Sequence, residues 1–338
     1  MTTSLLRQLD YLPEGLLTAS PDELESLLEG PTLIHLQGNH AEPLFVSVLL
    51  HGNEPTGLLA IQSLLQRYKD KILPRSLSIF FGNVSAASKR ARRLDEQADY
   101  NRIWPGTELA ECPETKMASQ IVEIMSEKQL FASIDIHNNT GLNPHYSCVN
   151  KLEPEFLQLA TLFGRFVVYF IRPKGVQSSA FAQYCPAVTL ECGRPGQQYG
   201  VEHALDFVNA ALNLTEIPQH DVHAHDIDLF HTVAQVCVKD DIEFSFDDEQ
   251  AELLLNSDIE RLNFTEIARG TPFGKVTSNK GLPLIAMSET GENITERFFS
   301  NEQGYLAIKR PTMPSMLTLD EKVIRQDCLC YLMERLAI

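Results

Sequence analysis

The run LFVSVLL at residues 44–50 is apolar at every position but Ser47, and it ends in the polar stretch His51, Gly52, Asn53, Glu54. From residue 56 onward apolar side chains fall at Leu58, Ile61, Leu64 and Leu65, the three- and four-residue spacing of one helix face. A strand buried on both faces and then an amphipathic helix make the first half of a β-α-β unit. The alternation recurs along the chain. Strands are expected at TLIHLQG, SLSIFFGN, FASIDIHNN and AVTLECG, and helices at ETKMASQIVEIMSE and EPEFLQLATLFGRF. Ahead of them SPDELESLLEG predicts a short helix, with Ser20 as cap, Glu23 three residues later and Gly30 as stop. Strands alternating with helices predict an α/β fold, a mostly parallel central sheet with helices on both faces.

After about residue 215 the pattern changes. LFHTVAQVCV, EFSF and GYLAIKR are short β-like runs divided by Gly, Pro, Asn and Asp, so the chain divides into an α/β domain over 1–219 and a smaller β-rich domain over 220–338. LDEKVIRQDCLCYLMERL predicts a closing helix, on which Cys328 and Cys330 would point to nearly opposite sides.

Composition narrows the partners. The chain has 338 residues, 43% of them hydrophobic, which is enough for one large core and a second smaller one. Its 28 basic residues face 45 acidic ones, and a net charge of −17 argues against a nucleic acid or an anionic membrane as partner. The opening MTTSLLRQLDYLPEG lacks the basic start and apolar run of a signal peptide, and no stretch is apolar for long enough to span a bilayer, so the expected location is the cytoplasm. Seven scattered cysteines without a paired CxxC pattern are expected to be reduced thiols.

Candidate chemistry lies where the strands end. In open parallel sheets ligands bind beyond the carboxyl ends of the strands. LFVSVLL ends at His51, with Glu54 one short turn further on; SIFFG ends at Asn83, SIDI at His137 and AVTL at Glu191. His51, Glu54 and His137 form a ligand set suited to one zinc ion, leaving a position for water, whose pKa zinc lowers from roughly 15.7 toward 7. Glu191, on a separate strand end, is the expected general base. RARRLDEQADYNRIWPG supplies Arg90, Arg92, Arg93, Asn101 and Arg102, a guanidinium cluster suited to a substrate carboxylate or to an oxyanion. His220, His223, His225 and His231 alternate with Asp in a presumed connection and fit a solvated segment better than a second metal site.

HGNEPTG, YNRIWPG, IDIHNNTG and VTLECG together resemble the succinylglutamate desuccinylase and aspartoacylase family, a branch of the zinc carboxypeptidase-like hydrolases, over roughly residues 30 to 210. The resemblance implies His51, Glu54 and His137 as zinc ligands, Glu191 as general base, and Asn101 with Arg102 as the pair that binds a substrate carboxylate. It implies Arg93 as the arginine that polarises the scissile carbonyl, with Arg92 as the alternative because the segment is one residue longer here. It also implies a β-rich C-terminal domain and places Tyr305 where a tyrosine reaches the site. Aspartoacylases carry a further arginine about ten residues before the catalytic glutamate; that position here is Phe181, which leaves Ser178, Ser179 or Phe181 to line a pocket for a different acyl group. The expected reaction is hydrolysis of an amide bond next to a carboxylate, in an N-acyl amino acid or a short peptide. A metallocarboxypeptidase acting on peptide C-termini and a metal-binding protein without turnover are the alternatives.

Overall fold

The computed structural model describes residues 5–277 and 280–337. The chain forms two compact units, one made of the residues up to Asn138 together with His145–Asp228, the other of Asn139–Pro144 and Leu229–Ala337.

The first unit contains, in chain order, β1 (Arg7–Leu9), α1 (Leu24–Leu28), β2 (Thr32–Leu36), β3 (Gly38–Val48), α2 (Thr56–Arg67), β4 (Leu73–Phe81), α3 (Val84–Ser88), α4 (Pro113–Ser126), β5 (Ala132–His137), β6 (Tyr146–Val149), α5 (Pro154–Thr161), β7 (Phe166–Tyr169), α6 (Gln177–Phe181), β8 (Ala187–Glu191) and α7 (Gln198–Asn213). Its strands lie in the order β1-β2-β4-β3-β5-β8-β6-β7. The four central strands β4, β3, β5 and β8 run parallel, so their carboxyl ends lie side by side. Pairing of β2 with β4 and of β6 with β8 is antiparallel.

Each element follows from the pattern that predicts it. The apolar face of α2 (Leu58, Ile61, Leu64, Leu65) is buried, as are Val201, Ala204, Leu205 and Val208 of α7, against which it packs. The helix expected at SPDELESLLEG is a 3-10 turn running into α1, started where Glu23 Oε2 accepts from both the amide and the hydroxyl of Ser20 at 2.8 Å and ended by Glu29 in the left-handed region. The strand β6, the short helix α6 and the long helix α7 are not anticipated by the reading above.

The second unit is β-rich, with β9 (Asp228–Val238), β10 (Phe244–Ser245), β11 (Leu253–Leu255), β12 (Pro272–Val276), β13 (Leu284–Ser288), α8 (Thr295–Phe298), β14 (Phe299–Glu302), β15 (Tyr305–Ile308), β16 (Met313–Ser315), α9 (Glu321–Gln326) and β17 (Cys330–Arg335). Its core includes Phe273, Phe298, Phe299, Leu306 and Leu332. The closing segment differs from expectation. Only Glu321–Gln326 is helical, started by the Asp320 carboxylate on the Val323 amide at 3.1 Å, and from Cys330 the chain pairs with β9 and β16. Cross-strand pairing overrides the helical reading here, so the argument that Cys328 and Cys330 diverge on a helix does not apply. Among the described residues no helix is long and apolar enough to cross a membrane.

The turn after β3 is tight. Leu49 has φ 57°, a left-handed conformation that a branched residue adopts only under constraint. The constraint is visible: the amide of Gly82 donates to Val48 O at 3.0 Å and that of Asn83 to Leu49 O at 2.7 Å, fixing the ends of β3 and β4 together. Gly52 then passes so close to α3 that a Cβ there would lie 2.2 Å from the amide nitrogen of Ala87, while its own amide donates to Arg92 O at 3.1 Å. A Gly52→Ala substitution forces two backbones apart and is expected to destabilise the metal-free protein by about 1–3 kcal/mol. Urea denaturation checks this, and a stability equal to wild type would contradict the close approach.

Candidate metal centre and active site

His137 is the last residue of β5 and Glu191 the last of β8, and the two are direct partners in the parallel ladder. Alternation along β5 puts Ser133, Asp135 and His137 on one face, all buried. The turn after β3 brings His51 and Glu54 to the same place. The His51 Nδ1 lies 2.8 Å from Glu54 Oε1 and the His137 Nδ1 2.7 Å from Glu54 Oε2. One potential ligand atom from each of the three residues lies within 4.8 Å of the others.

The far nitrogen of each ring is held by a second carboxylate. His51 Nε2 lies 3.0 Å from Asp99 Oδ1, and His137 Nε2 lies 2.9 Å from Asp135 Oδ2. Asp135 is itself fixed by the Ser47 hydroxyl, which donates to Oδ1 at 2.6 Å. A carboxylate behind an imidazole keeps the proton on the nitrogen facing it and leaves the other nitrogen to act as a ligand. Both Nδ1 atoms are therefore the ones available to a metal, and with one Glu54 oxygen they make a two-nitrogen, one-oxygen donor set of the kind that suits a borderline divalent cation such as zinc. The residues fit a metal ion.

Charge is balanced tightly around this group. Burial opposes ionisation of Glu54, but His51 and His137 beside it outweigh burial and hold its carboxyl far below the usual range. The same holds for Asp99, where His51, Arg92 and Arg102 overcome burial. Arg92 places a terminal nitrogen 3.5 Å from Glu54 Oε1 and another 3.6 Å from Asp99 Oδ2. The amide of Asn138 adds a hydrogen bond to Glu54 Oε2 at 3.1 Å.

Comparison with known proteins gives the family and the fold. The profile of the succinylglutamate desuccinylase/aspartoacylase catalytic domain matches residues 42–217, more than half of the chain. The chain belongs to this family. Solved structures share the fold. Succinylglutamate desuccinylase from Chromobacterium violaceum is 18% identical, with a TM-score of 0.57 over 88% of this chain and 86% of its own. A succinylglutamate desuccinylase/aspartoacylase from Rhodobacter sphaeroides is 14% identical, with a TM-score of 0.59 over 89% and 88%. Murine aminoacylase 3 is 13% identical, with a TM-score of 0.56 over 88% and 96%. A search of curated proteins gives no match.

The structure places the two candidate arginines differently. Arg93 turns away and donates from a terminal nitrogen to Gln97 O at 3.1 Å, whereas its neighbour Arg92 faces Glu54. The backbone bond from Gly52 to Arg92 O pins residue 92 against the His51–Glu54 turn, and Arg93 points elsewhere. Asn101 and Arg102 follow Asp99 in one turn, in which the Asn101 amide donates to Asp99 Oδ1 at 2.8 Å; Asn101 Oδ1 is buried with no hydrogen-bond partner. Asn83 does not join the site. It caps α3 through the Ala86 amide and donates to Gln97 Oε1, which steadies the arginine loop.

Phe181 does not line a pocket. It is fully buried against Phe45, at 4.6 Å between ring centroids, and Trp104, at 5.9 Å. Ser178 is buried too and accepts a hydrogen bond from Thr189 Oγ1 at 3.0 Å. Burial pushes the Cys192 thiol well above its usual range, consistent with packing rather than nucleophilic attack. Tyr305 opens β15 in the other unit, half exposed, and is not among the groups that the first unit brings together. The residues missed in the sequence are Asp99 and Asp135. Asp135 was readable, since it stands two positions before His137 on the same strand face. Asp99 sits in an irregular loop, where spacing carries no direction.

The cluster sets how the metal-free protein responds to pH. Burial opposes a charge on His137, yet the carboxylates of Asp135 and Glu54 hold its pKa well above 6.5. Stability from a raised imidazole is complete below its unfolded value and is lost as the pH climbs through the folded one. Stability from the depressed Glu54 carboxyl is present above its unfolded value, about 4.3, and is lost on acidification. The chelator-treated protein is therefore expected to be most stable at about pH 4.5–6.5 and to weaken toward pH 9. Urea denaturation at pH 6 and pH 9 checks this, and equal or greater stability at pH 9 would contradict it.

Proposed function

We propose that the protein is a zinc-dependent amidohydrolase that removes the acyl group from an N-acyl amino acid. The observation that carries this reading is the buried His51–Glu54–His137 group with Glu191 on the adjoining strand end. His51, Glu54 and His137 would hold the ion. A zinc ion bound there supplies Lewis acidity toward a carbonyl and makes water more acidic.

The remaining work belongs to the chain's own side chains. Glu191 takes a proton from the water that adds to the carbonyl carbon and returns it to the amide nitrogen, so that the C–N bond breaks to a carboxylate and a free amine. Arg92, close to Glu54, can face the carbonyl oxygen and balance the negative charge that develops on it. Asn101 and Arg102 hold the amino-acid carboxylate, for which a guanidinium offers two parallel donors. Asp99 and Asp135 keep both imidazoles in one tautomer and orientation. Desuccinylase and acylase names among the structural neighbours support small N-acyl amino acids over peptides as substrates. All seven cysteines are free thiols, which supports a reducing, cytoplasmic location.

Primary-amine release by the zinc-loaded protein from N-acetyl, N-succinyl and longer N-acyl amino acids, beside short peptides, tests the reading. Chelator-sensitive release from acyl amino acids is expected, and release from peptides alone would contradict it. Glu191→Gln is expected to keep its zinc and lose roughly 10²- to 10⁴-fold in turnover. His51→Ala is expected to lose both metal and activity. Elemental analysis beside the assay separates the two, and normal turnover by Glu191→Gln would rule out its role as base. Between the two arginines, Arg92→Lys should depress kcat far more than Arg93→Lys; the reverse order would return the role to Arg93.

A further inference from the structure

Behind the strand end that carries Glu191 lies a pair of histidines that the hydrolytic reading leaves unused. His145, just before β6, and His203, on α7, face each other with their Nδ1 atoms 2.7 Å apart. Their ring centroids are 5.0 Å apart and their planes differ by 21°, so the bond runs near the plane of both rings. Phe163 lies parallel to His203 at 4.1 Å and Tyr199 parallel to His145 at 5.0 Å, so each ring has an aromatic face against it.

The proton positions follow from the partners. The backbone of Phe163 beside His203 favours a proton on that ring, as a carbonyl acceptor does. Because the His203 Nδ1 faces His145, the donor to that carbonyl is Nε2, and Nδ1 is left as an acceptor. The proton between the rings therefore sits on His145 Nδ1. His145 Nε2 is then a bare lone pair, buried and without a hydrogen-bond partner. It abuts Gly193, where an added Cβ would lie 3.0 Å from it.

Gly193 connects this pair to the site. It follows Glu191 by two residues, and its carbonyl accepts from Asn138 Nδ2 at 2.8 Å; the Asn138 amide in turn bonds Glu54. Tyr146, next to His145, is the antiparallel partner of Glu191. The dipeptide His145–Tyr146 thus flanks the segment Glu191–Gly193. We propose that His145 is a positioning residue for Glu191: neutral and locked to His203 it backs the Gly193 turn, and a proton added at Nε2 releases that turn and lowers turnover on the acid side.

A protonated Nε2 would press an N–H against Gly193 with no hydrogen-bond partner in place; the Gln197 Oε1 beside Gly193 already accepts from the Tyr199 hydroxyl, so the imidazolium would have to shift to be satisfied. The titratable groups that face the pair are Tyr199, stacked on His145, and Asp206, on α7 with His203. Of these, Asp206 favours charge on His203. Burial and the facing His203 both lower the basicity of His145, so the transition falls below the ordinary imidazole range.

The proposal rests on the hydrolase reading for its activity readout alone. Nitrogen-15 NMR of the zinc-loaded protein is expected to show His145 with its proton on Nδ1 and His203 with its proton on Nε2 at neutral pH. On acidification the Gly193 and Asn138 amide signals should move with the His145 midpoint, and kcat should fall through the same midpoint while KM holds. His203→Gln should raise that midpoint by about one pH unit and carry the kcat limb with it. In His145→Phe, which keeps a ring in place, the limb should vanish. The opposite tautomer on His145, or amides and kcat that ignore its midpoint, would overturn the proposal. If wild type hydrolysed no acyl amino acid, the hydrolase reading would fall, and the amide signals would still decide whether His145 controls the Gly193 turn.

Discussion

The site is organised around one buried carboxylate. Glu54 stands between two imidazoles in a place almost closed to water, where an uncompensated ion would cost several kcal/mol. Every neighbour answers that cost. Arg92 and the Asn138 amide reach Glu54 directly, Asp99 and Asp135 hold the imidazoles from behind, and Ser47 fixes Asp135. Together these contacts hold the group charged and oriented, with two imidazole nitrogens and a carboxylate oxygen converging on one point.

The parallel centre of the sheet delivers these groups to one point. Ser47 and Asp135 are register partners on β3 and β5, and His137 and Glu191 are partners on β5 and β8. Asp135, His137 and Glu191 are thus spaced by the ladder itself. The contribution of β3 arrives differently, through a strained turn at Leu49 and a glycine pressed on α3, so backbone geometry rather than strand spacing positions His51 and Glu54.

Much of this was legible in the sequence because burial leaves a period. The apolar runs ending at His51, His137 and Glu191, and the amphipathic stretch after Glu54, mark strands and helix without any motif, and strand ends are where parallel sheets bind ligands. Direction within loops was not legible. Whether Arg92 or Arg93 faces Glu54 depends on which backbone group Gly52 engages, and whether Asp99 reaches His51 depends on a turn without periodicity. At the C-terminus, helical spacing in CLCYLMER lost to pairing with β9, a long-range choice that no local window contains. The His145–His203 pair was invisible for the same reason, since β6 and α7 were not anticipated.

X-ray absorption of the zinc-loaded protein tests the central claim most directly. Two imidazoles at about 2.0–2.1 Å with the remaining ligands oxygen, and no sulfur in the first shell, is the predicted result. A scatterer at about 2.3 Å, the distance of a cysteine sulfur, or a shell with fewer than two imidazoles, would contradict a metal held by His51, Glu54 and His137.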